Sequence, residues 1–206
     1  MFAKATPDSL ARGLLTVPGM AADAVPSRSD SASDESTVEQ GGLTEAQKRD
    51  MFVQLVFGGD EQRFAAFRQA IVDAVPPGTR AIVRGSSITG LRWKDEAPFD
   101  ADGTGTSDVD LTLVGGDVLG AFKVTGFFIP GVHSRPMGDD DPDIAPALSD
   151  LRAQLTALAG RPVNVQASRD WVVFLRGQVM GQPYLTLVDP DAGPAAADAA
   201  GADTTP

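Results

Sequence analysis

The stretch AIVRGSSITG at 81–90, followed after a polar insert by SDVDLTLVGG at 107–116, decides the fold predicted for this chain. The first apolar residues predict a strand that ends in a bend of glycine and serine. The second apolar run predicts another strand, which carries Asp108 and Asp110 near its start. Because successive strand side chains point to opposite faces, both aspartates and Thr112 are expected on one face. This face is predicted to line a polar cleft.

The two aspartates and the bend together predict a triphosphate site. Carboxylates held this close repel each other, and a divalent cation removes the conflict. Mg²⁺ takes oxygen ligands from one or two carboxylates, waters and substrate phosphates, which makes Asp108 and Asp110 its predicted ligands. Gly85 allows backbone N–H groups to approach an anion, and the hydroxyls of Ser86 and Ser87 add donors.

This order of elements resembles the signature of the nucleotidyltransferase superfamily, the DNA polymerase β-like fold, in its minimal bacterial form. The likeness is carried by the first strand, the Gly-Ser pair at 85–86 and the Asp-Val-Asp triplet at 108–110. The segment 159–165 resembles, more weakly, the family's later strand. The whole region that resembles the family spans about 60–188. The resemblance implies an α+β domain in which helices flank a small mixed β-sheet.

The resemblance also implies a reaction. An acceptor hydroxyl attacks the α-phosphate of a nucleoside triphosphate in line, and pyrophosphate leaves. Asp108 and Asp110 hold Mg²⁺, while Gly85 and Ser86 bind the β- and γ-phosphates. ATP is the default donor, since nothing in the sequence selects the base, and the acceptor is a small molecule or a protein.

One departure from the family pattern concerns its third carboxylate, which falls where this chain has Asn164. Alternation with the valines beside it predicts that Asn164 faces the polar side of its strand. Asparagine carries no charge and cannot accept a proton at neutral pH, which puts full catalysis in question. A carboxylate of Asp100, Asp102 or Asp170 that reached the metal site would favour an active enzyme. Two hypotheses follow: an active transferase, or a degenerate domain that binds a nucleotide or a partner protein, for example in a toxin–antitoxin pair.

Two arginines flank the bend, and an insert follows the second. Arg92 is predicted either to pair with the triphosphate or to form a surface salt bridge with a loop acid, whereas the salt bridge is favoured for Arg84. The insert 93–106 is longer than in the family and predicts a mobile lid or a specificity loop, because its acids do not match a calcium-loop spacing. Trp93 is predicted to stack on a base or to anchor in the core.

Helices are predicted on both sides of this stretch. Thr44 and Gln47 form a capping-box pattern for a helix that ends at Phe57, and Asp60 caps a second helix. A third helix is predicted to start near Pro146 and to end just before Gly160. Apolar residues repeat at intervals of three and four in the last two, as on the buried face of a helix: Phe64, Phe67, Ile71 and Val75, then Leu148, Leu151, Leu155 and Leu158.

The remaining segments are predicted from shorter patterns. The apolar run 124–130 predicts a strand, and 184–188 predicts a last short strand. The loop around His133 contains four aspartates and is predicted to be solvated rather than to form a second metal site. Asp170 is predicted to cap a helical segment over 171–179 rather than to act in catalysis.

Composition limits the classes of function. The 206 residues are 42% hydrophobic and suffice for one sizeable domain, predicted at 43–188. Residues 1–42 and 189–206 are rich in small and polar residues and predict a disordered leader and tail.

The net charge of −11 argues against a nucleic-acid partner, because phosphate backbones require clustered Lys and Arg. The sequence contains no apolar run of about 20 residues, so no membrane-spanning helix is predicted. The chain has no cysteine, which excludes thiolate chemistry, and the cytoplasm is the expected compartment.

Overall fold

The computed structural model describes residues 42–92, 94–174 and 182–192. The predicted leader, apart from its last residue, and most of the predicted tail lie outside these residues, as does Trp93. The predicted helix after Asp170 is described only as far as Phe174.

The first two helices form where their capping residues predict. Helix α1 (Glu45–Phe57) begins after Thr44, whose hydroxyl accepts the N–H of Gln47 while the Gln47 side chain accepts the N–H of Thr44. Helix α2 (Glu61–Ala74) begins after Asp60, whose carboxylate accepts two backbone N–H groups of the first turn. These bonds satisfy donors that a helix start leaves open, so both predicted N-caps are confirmed.

Three further helices complete the set of α-helices in the described residues. They are α3 (Ser86–Thr89), α4 (Ser149–Ala159) and α5 (Trp171–Phe174). Helix α3 is a single turn that begins at Ser86, directly after Gly85.

The strands form one mixed sheet, which confirms the predicted α+β class. Its order is β3-β4-β5-β2-β1-β6, and only the central β2–β5 pair is parallel. The strands are β1 (Arg80–Arg84), β2 (Val109–Val114), β3 (Phe127–Ile129), β4 (His133–Ser134), β5 (Val163–Ser168) and β6 (Tyr184–Val188).

One face of this sheet builds the main core. The odd-numbered residues of β2 and β5 are fully or almost fully buried there, against apolar residues of α1, α2 and α4. At the centre of the helical layer the ring of Phe52 lies edge-on to the rings of Phe57, Phe64 and Phe67, at 5.6, 6.0 and 6.3 Å between centroids. The apolar residues that repeat at intervals of three and four in the sequence of α2 and α4 therefore belong to the core, as predicted.

The opposite face is covered along part of its length, which corrects the sequence prediction for Thr112. A small cluster of Ile82, Val114 and Phe174 closes this face. Thr112 is fully buried, and its hydroxyl accepts the side-chain N–H of Gln166 at 2.8 Å. Asp110, at the start of β2, is only partly buried, whereas Phe174 of α5 packs with Val114 at the end of the strand.

None of the helices in the described part of the chain is long and apolar enough to cross a bilayer.

Candidate functional site

The bend and the acidic start of β2 lie side by side because β1 and β2 are antiparallel. Their register pairs Arg84, the last residue of β1, with Asp110. Gly85 follows at once, and a Cβ built on it would lie 3.6 Å from a carboxylate oxygen of Asp110. Gly85 has φ +83°, which a residue with a side chain rarely adopts, so glycine is needed at this turn.

The three predicted catalytic residues are brought together by the parallel strand. The register of β2 and β5 pairs Asp110 with Asn164. The amide nitrogen of Asn164 donates to Asp108 and, at 3.3 Å, to Asp110. Its amide oxygen faces Gly138, where a Cβ would overlap it. Asn164 therefore binds the aspartate pair through its N–H groups and is held in this orientation by close packing.

The electrostatics of the pair favour a cation. Burial raises the pKa of the Asp110 carboxyl above its usual range, and the neighbouring charge of Asp108 raises it further. The Arg84 guanidinium and the hydrogen bond from Asn164 oppose this rise in pKa without cancelling it. A positive charge placed between the carboxylates would offset the cost of burying the charge of Asp110 and remove its repulsion by Asp108.

An open cleft of about 350 Å³ lies over the bend and the pair. Gly85 and Ser86 line it, as predicted for phosphate-binding residues. Ser87 does not reach it, because its side chain is fully buried and its hydroxyl donates to the Arg84 carbonyl at 3.2 Å. The other lining residues include three cations and several polar groups: Arg84, Arg92, Lys94, Asp102, Thr106, Ser107 and Gln182.

Arg92 forms salt bridges with loop acids, one of the two roles that the sequence left open for it. It lines the cleft, and it also bonds Asp102 at 2.6 Å and Asp95 at 3.3 Å. The hydrogen bond to Asp102 is the largest cause of the raised pKa of Arg92. Its guanidinium therefore stays charged at the cleft edge, with carboxylate partners that an incoming phosphate could replace.

The insert is fixed to the core at Asp100. The Asp100 carboxylate accepts the N–H groups of Gly105 and Ser107, both at 2.9 Å, and a guanidinium N–H of Arg161 at 2.8 Å. The same guanidinium lies over the ring of Phe99, 4.5 Å from its centroid. The base of the predicted lid is thus held by a nearly buried arginine.

No third carboxylate joins the pair within the described ranges. Asp100 is engaged by Arg161, and Asp102 reaches the cleft but is bonded to Arg92. Asp170 contributes its backbone carbonyl to the first turn of α5. No group of three acidic, histidine or cysteine side chains suited to a metal occurs in the part of the chain that the structure describes.

The ion pair at Asp100 predicts a pH-dependent stability. Burial alone would raise its pKa, but the hydrogen bonds from Arg161 and two backbone N–H groups lower the pKa to about 2. Since the pKa is lower in the folded state, the stabilisation is present above the unfolded pKa of about 3.9 and is lost as the pH falls through about 2. Asp100→Asn is expected to lower the free energy of unfolding at pH 7 by about 1–2 kcal/mol, allowing for solvent screening.

Urea unfolding at pH 7 and at pH 2 measures this effect, which should shrink at the lower pH. Asp102→Asn is the matched control in the same loop. Its pair with Arg92 is exposed, so its loss should change the free energy of unfolding far less than Asp100→Asn does. Equal losses in the two variants would contradict a special role for the Asp100–Arg161 pair.

Sequence reasoning missed several cleft residues. Lys94 and Ser107 stand next to residues that were singled out, yet only the fold of the insert brings both to the cleft. Gln182 comes from a distant segment, so no local pattern indicates it. Gly138 was overlooked because its importance depends on its contact with Asn164.

The buried His133 does not take part in this cleft. It lies on β4, where burial and the charge of Arg84 lower its pKa. In the acidic loop that follows, Asp139 and Asp141 form ion pairs with Arg152 and Arg135.

Comparisons with protein-family models, curated proteins and solved structures found no match for the chain. The likeness to nucleotidyltransferases therefore stays a prediction from the residues of the bend and the two strands.

Proposed function

We propose that this protein is a Mg²⁺-dependent nucleotidyltransferase that moves a nucleoside monophosphate from a triphosphate, with ATP as the default donor, to a hydroxyl group. The observation that carries the proposal is the position of the glycine bend beside Asp110 on one wall of an open cleft. The acidic charge of the chain supports a small-molecule or protein acceptor rather than a nucleic acid. A cytoplasmic location belongs to the same proposal.

The cleft suits a triphosphate. Arg84, Arg92 and Lys94 line it together with Ser86. Guanidinium groups bind phosphate oxygens through paired N–H donors, and lysine supplies a point charge. Arg92 would exchange Asp102 for a phosphate oxygen when the donor enters.

The donor set also suits Mg²⁺. Asp108 and Asp110 would hold the ion, and the open cleft leaves room for the water and phosphate oxygens that complete its preferred coordination. When bound, the ion would neutralise charge on the phosphates and on the leaving group. Asn164 turns its N–H groups toward the carboxylates, so its role is to orient the pair.

The proposed transfer forms one bond at the α-phosphorus and breaks another. The acceptor hydroxyl oxygen forms a bond to the α-phosphorus while the bond from this phosphorus to the bridging oxygen breaks. Pyrophosphate leaves with the electron pair of the broken bond. The hydroxyl proton passes to water, because the Asn164 amide cannot accept it. The protein contributes mainly positioning and charge, as expected for phosphoryl chemistry.

Incubation with ATP labelled at the α-phosphate tests the proposal. Label should move to a small acceptor or a protein only when Mg²⁺ is present, with release of pyrophosphate. Donors differing in the base would show which nucleotide is preferred.

A second candidate is a domain that binds a nucleotide without transferring it, which Asn164 favours because it replaces a charged ligand with a neutral one. Saturable ATP binding without pyrophosphate release, over a broad panel of acceptors, would support this candidate and contradict transfer.

Asn164→Asp separates the effects of charge and of orientation. A third carboxylate beside the pair is expected to lower the free energy of unfolding by about 1–2 kcal/mol in chelator, because like charges repel. Mg²⁺ should restore the loss and bind more tightly than to the unaltered protein. Thermal melts with and without Mg²⁺ measure both effects.

Asn164→Ala is the control for this substitution, since it removes the amide donors without adding charge. Mg²⁺ should stabilise Asn164→Ala no more than it stabilises the unaltered protein. If Asn164→Asp is equally stable in chelator and in Mg²⁺, the aspartate pair is not a cation site.

A further inference from the structure

A second cleft of about 350 Å³ opens on the other side of Asn164. Phe128 forms part of one wall, and the loop that contains Gly138 and residues 139–141 forms much of the rest. Asn164 lines this cleft while donating to the carboxylates that line the first one. The two clefts are thus separated by the reacting centre of the proposed function.

This arrangement is what a two-substrate transfer requires. A donor in the first cleft places its α-phosphate near Asp108 and Asp110. An acceptor in the second cleft would approach the same carboxylates from the side of Asn164. Holding both reactants beside one centre supplies a large part of the rate enhancement available to such a reaction.

The charges of the second cleft select the kind of acceptor. Asp139 and Asp141 are bonded to Arg152 and Arg135. Asp140 is exposed and has no salt bridge within the described residues. The lining thus keeps an excess of negative charge, which favours a cation over a neutral or anionic compound.

The aromatic wall suits the same kind of ligand. Phe128 is 64% exposed, although it is a large apolar residue. Its other face is stacked on the buried ring of His133, at 6.4 Å between centroids and 12° between planes. A fixed and open aromatic face attracts an ammonium group and the carbon skeleton that carries it.

We propose that the second cleft is the acceptor site and that the acceptor is a small hydroxyl compound bearing a protonated amine, with Asp140 as the residue that binds the ammonium group. The inference rests on the proposed function for the identity of the reaction, but binding at this cleft can be tested without any turnover.

The test is a titration of the full-length, ¹⁵N-labelled protein with 1,3-diamino-2-propanol, followed by NMR at constant ionic strength. Glycerol is the matched neutral probe, since it has the same carbon skeleton with hydroxyls in place of amines. The diamine should shift the backbone signals of Gly138 and Asp140 and the side-chain amide of Asn164, whereas glycerol should not.

Two variants locate the binding. Asp140→Asn is expected to weaken diamine binding about fivefold, the effect of losing one exposed ion pair. Asp143→Asn removes the same charge from an exposed position of the same loop outside the lining, and should leave the affinity unchanged. Equal weakening in both variants, or shifts spread over the whole acidic surface, would overturn the proposal.

The failure of the inference and the failure of the proposed function give different results. If ATP with Mg²⁺ perturbs the first cleft and the diamine does not perturb the second, the acceptor assignment is wrong while the donor site stands. If the diamine binds as described and ATP does not bind, the second cleft is an amine site and the transfer reaction is wrong.

Discussion

Asp110→Asn should lower the rate of nucleotidyl transfer by roughly 10²–10³-fold, because it removes one of the two charges proposed to hold Mg²⁺ at the reacting phosphate. Asparagine keeps the size of the side chain, and it can still contact Asn164 across the strand pair. The loss therefore reports on charge rather than on shape. Release of pyrophosphate from ATP, measured with Mg²⁺ in excess, gives the rate.

The same substitution should not destabilise the protein in chelator. The pKa of Asp110 is higher in the folded state than in the unfolded chain, first because of burial and then because of Asp108. Its favourable contribution is therefore complete below the unfolded pKa of about 3.9 and is lost as the pH rises through the folded pKa. At neutral pH the ionised carboxylate costs stability, which Asp110→Asn removes.

Thermal melts separate these effects. In chelator at pH 7, Asp110→Asn should melt at or above the melting temperature of the unaltered protein. Mg²⁺ should raise the melting temperature of the unaltered protein but not that of Asp110→Asn. Asp143→Asn, which changes the same charge away from the cleft, should behave as the unaltered protein in both assays. Transfer by Asp110→Asn above about a tenth of the original rate would contradict the assigned role.

Phe52→Ala has the largest expected effect on stability, a loss of about 3–5 kcal/mol in the free energy of unfolding. Phe52 is fully buried and contacts three other phenylalanine rings of α1 and α2. Truncation removes a large apolar side chain and leaves a cavity among rings that cannot all move inward. Urea unfolding followed by circular dichroism measures the loss.

Val124→Ala is the surface control, since Val124 is 85% exposed and should change the free energy by less than about 0.5 kcal/mol. A loss below about 1 kcal/mol for Phe52→Ala would mean that the helical layer is not close-packed around this ring.

Local signals in the sequence were sufficient for most of the elements. The capping box of α1, the cap at Asp60 and the glycine after α4 predicted helix boundaries, because caps bond only to groups within a few residues. Alternation predicted that Asn164 shares a face with its strand's polar residues, since side-chain direction along a strand has a period of two.

Strand pairing decided the contents of the candidate site. The amide of Asn164 meets Asp110 across 54 positions of the chain, and Arg161 meets Asp100 across 61. These contacts depend on the register of β2 with β5 and on the path of the insert. The sequence predicted Ser87 and Thr112 at the cleft because local patterns do not show such long-range contacts. In the structure both residues are fully buried.

The sequence by itself determined where this chain forms helices and strands, and it placed the Gly-Ser bend and the two aspartates on elements suited to a phosphate and a cation. Only the tertiary structure decided which polar side chains stay open to a ligand. Helix caps and strand alternation arise from neighbours along the chain, whereas exposure depends on what distant segments cover, such as α5 over Val114 or Gly138 against Asn164.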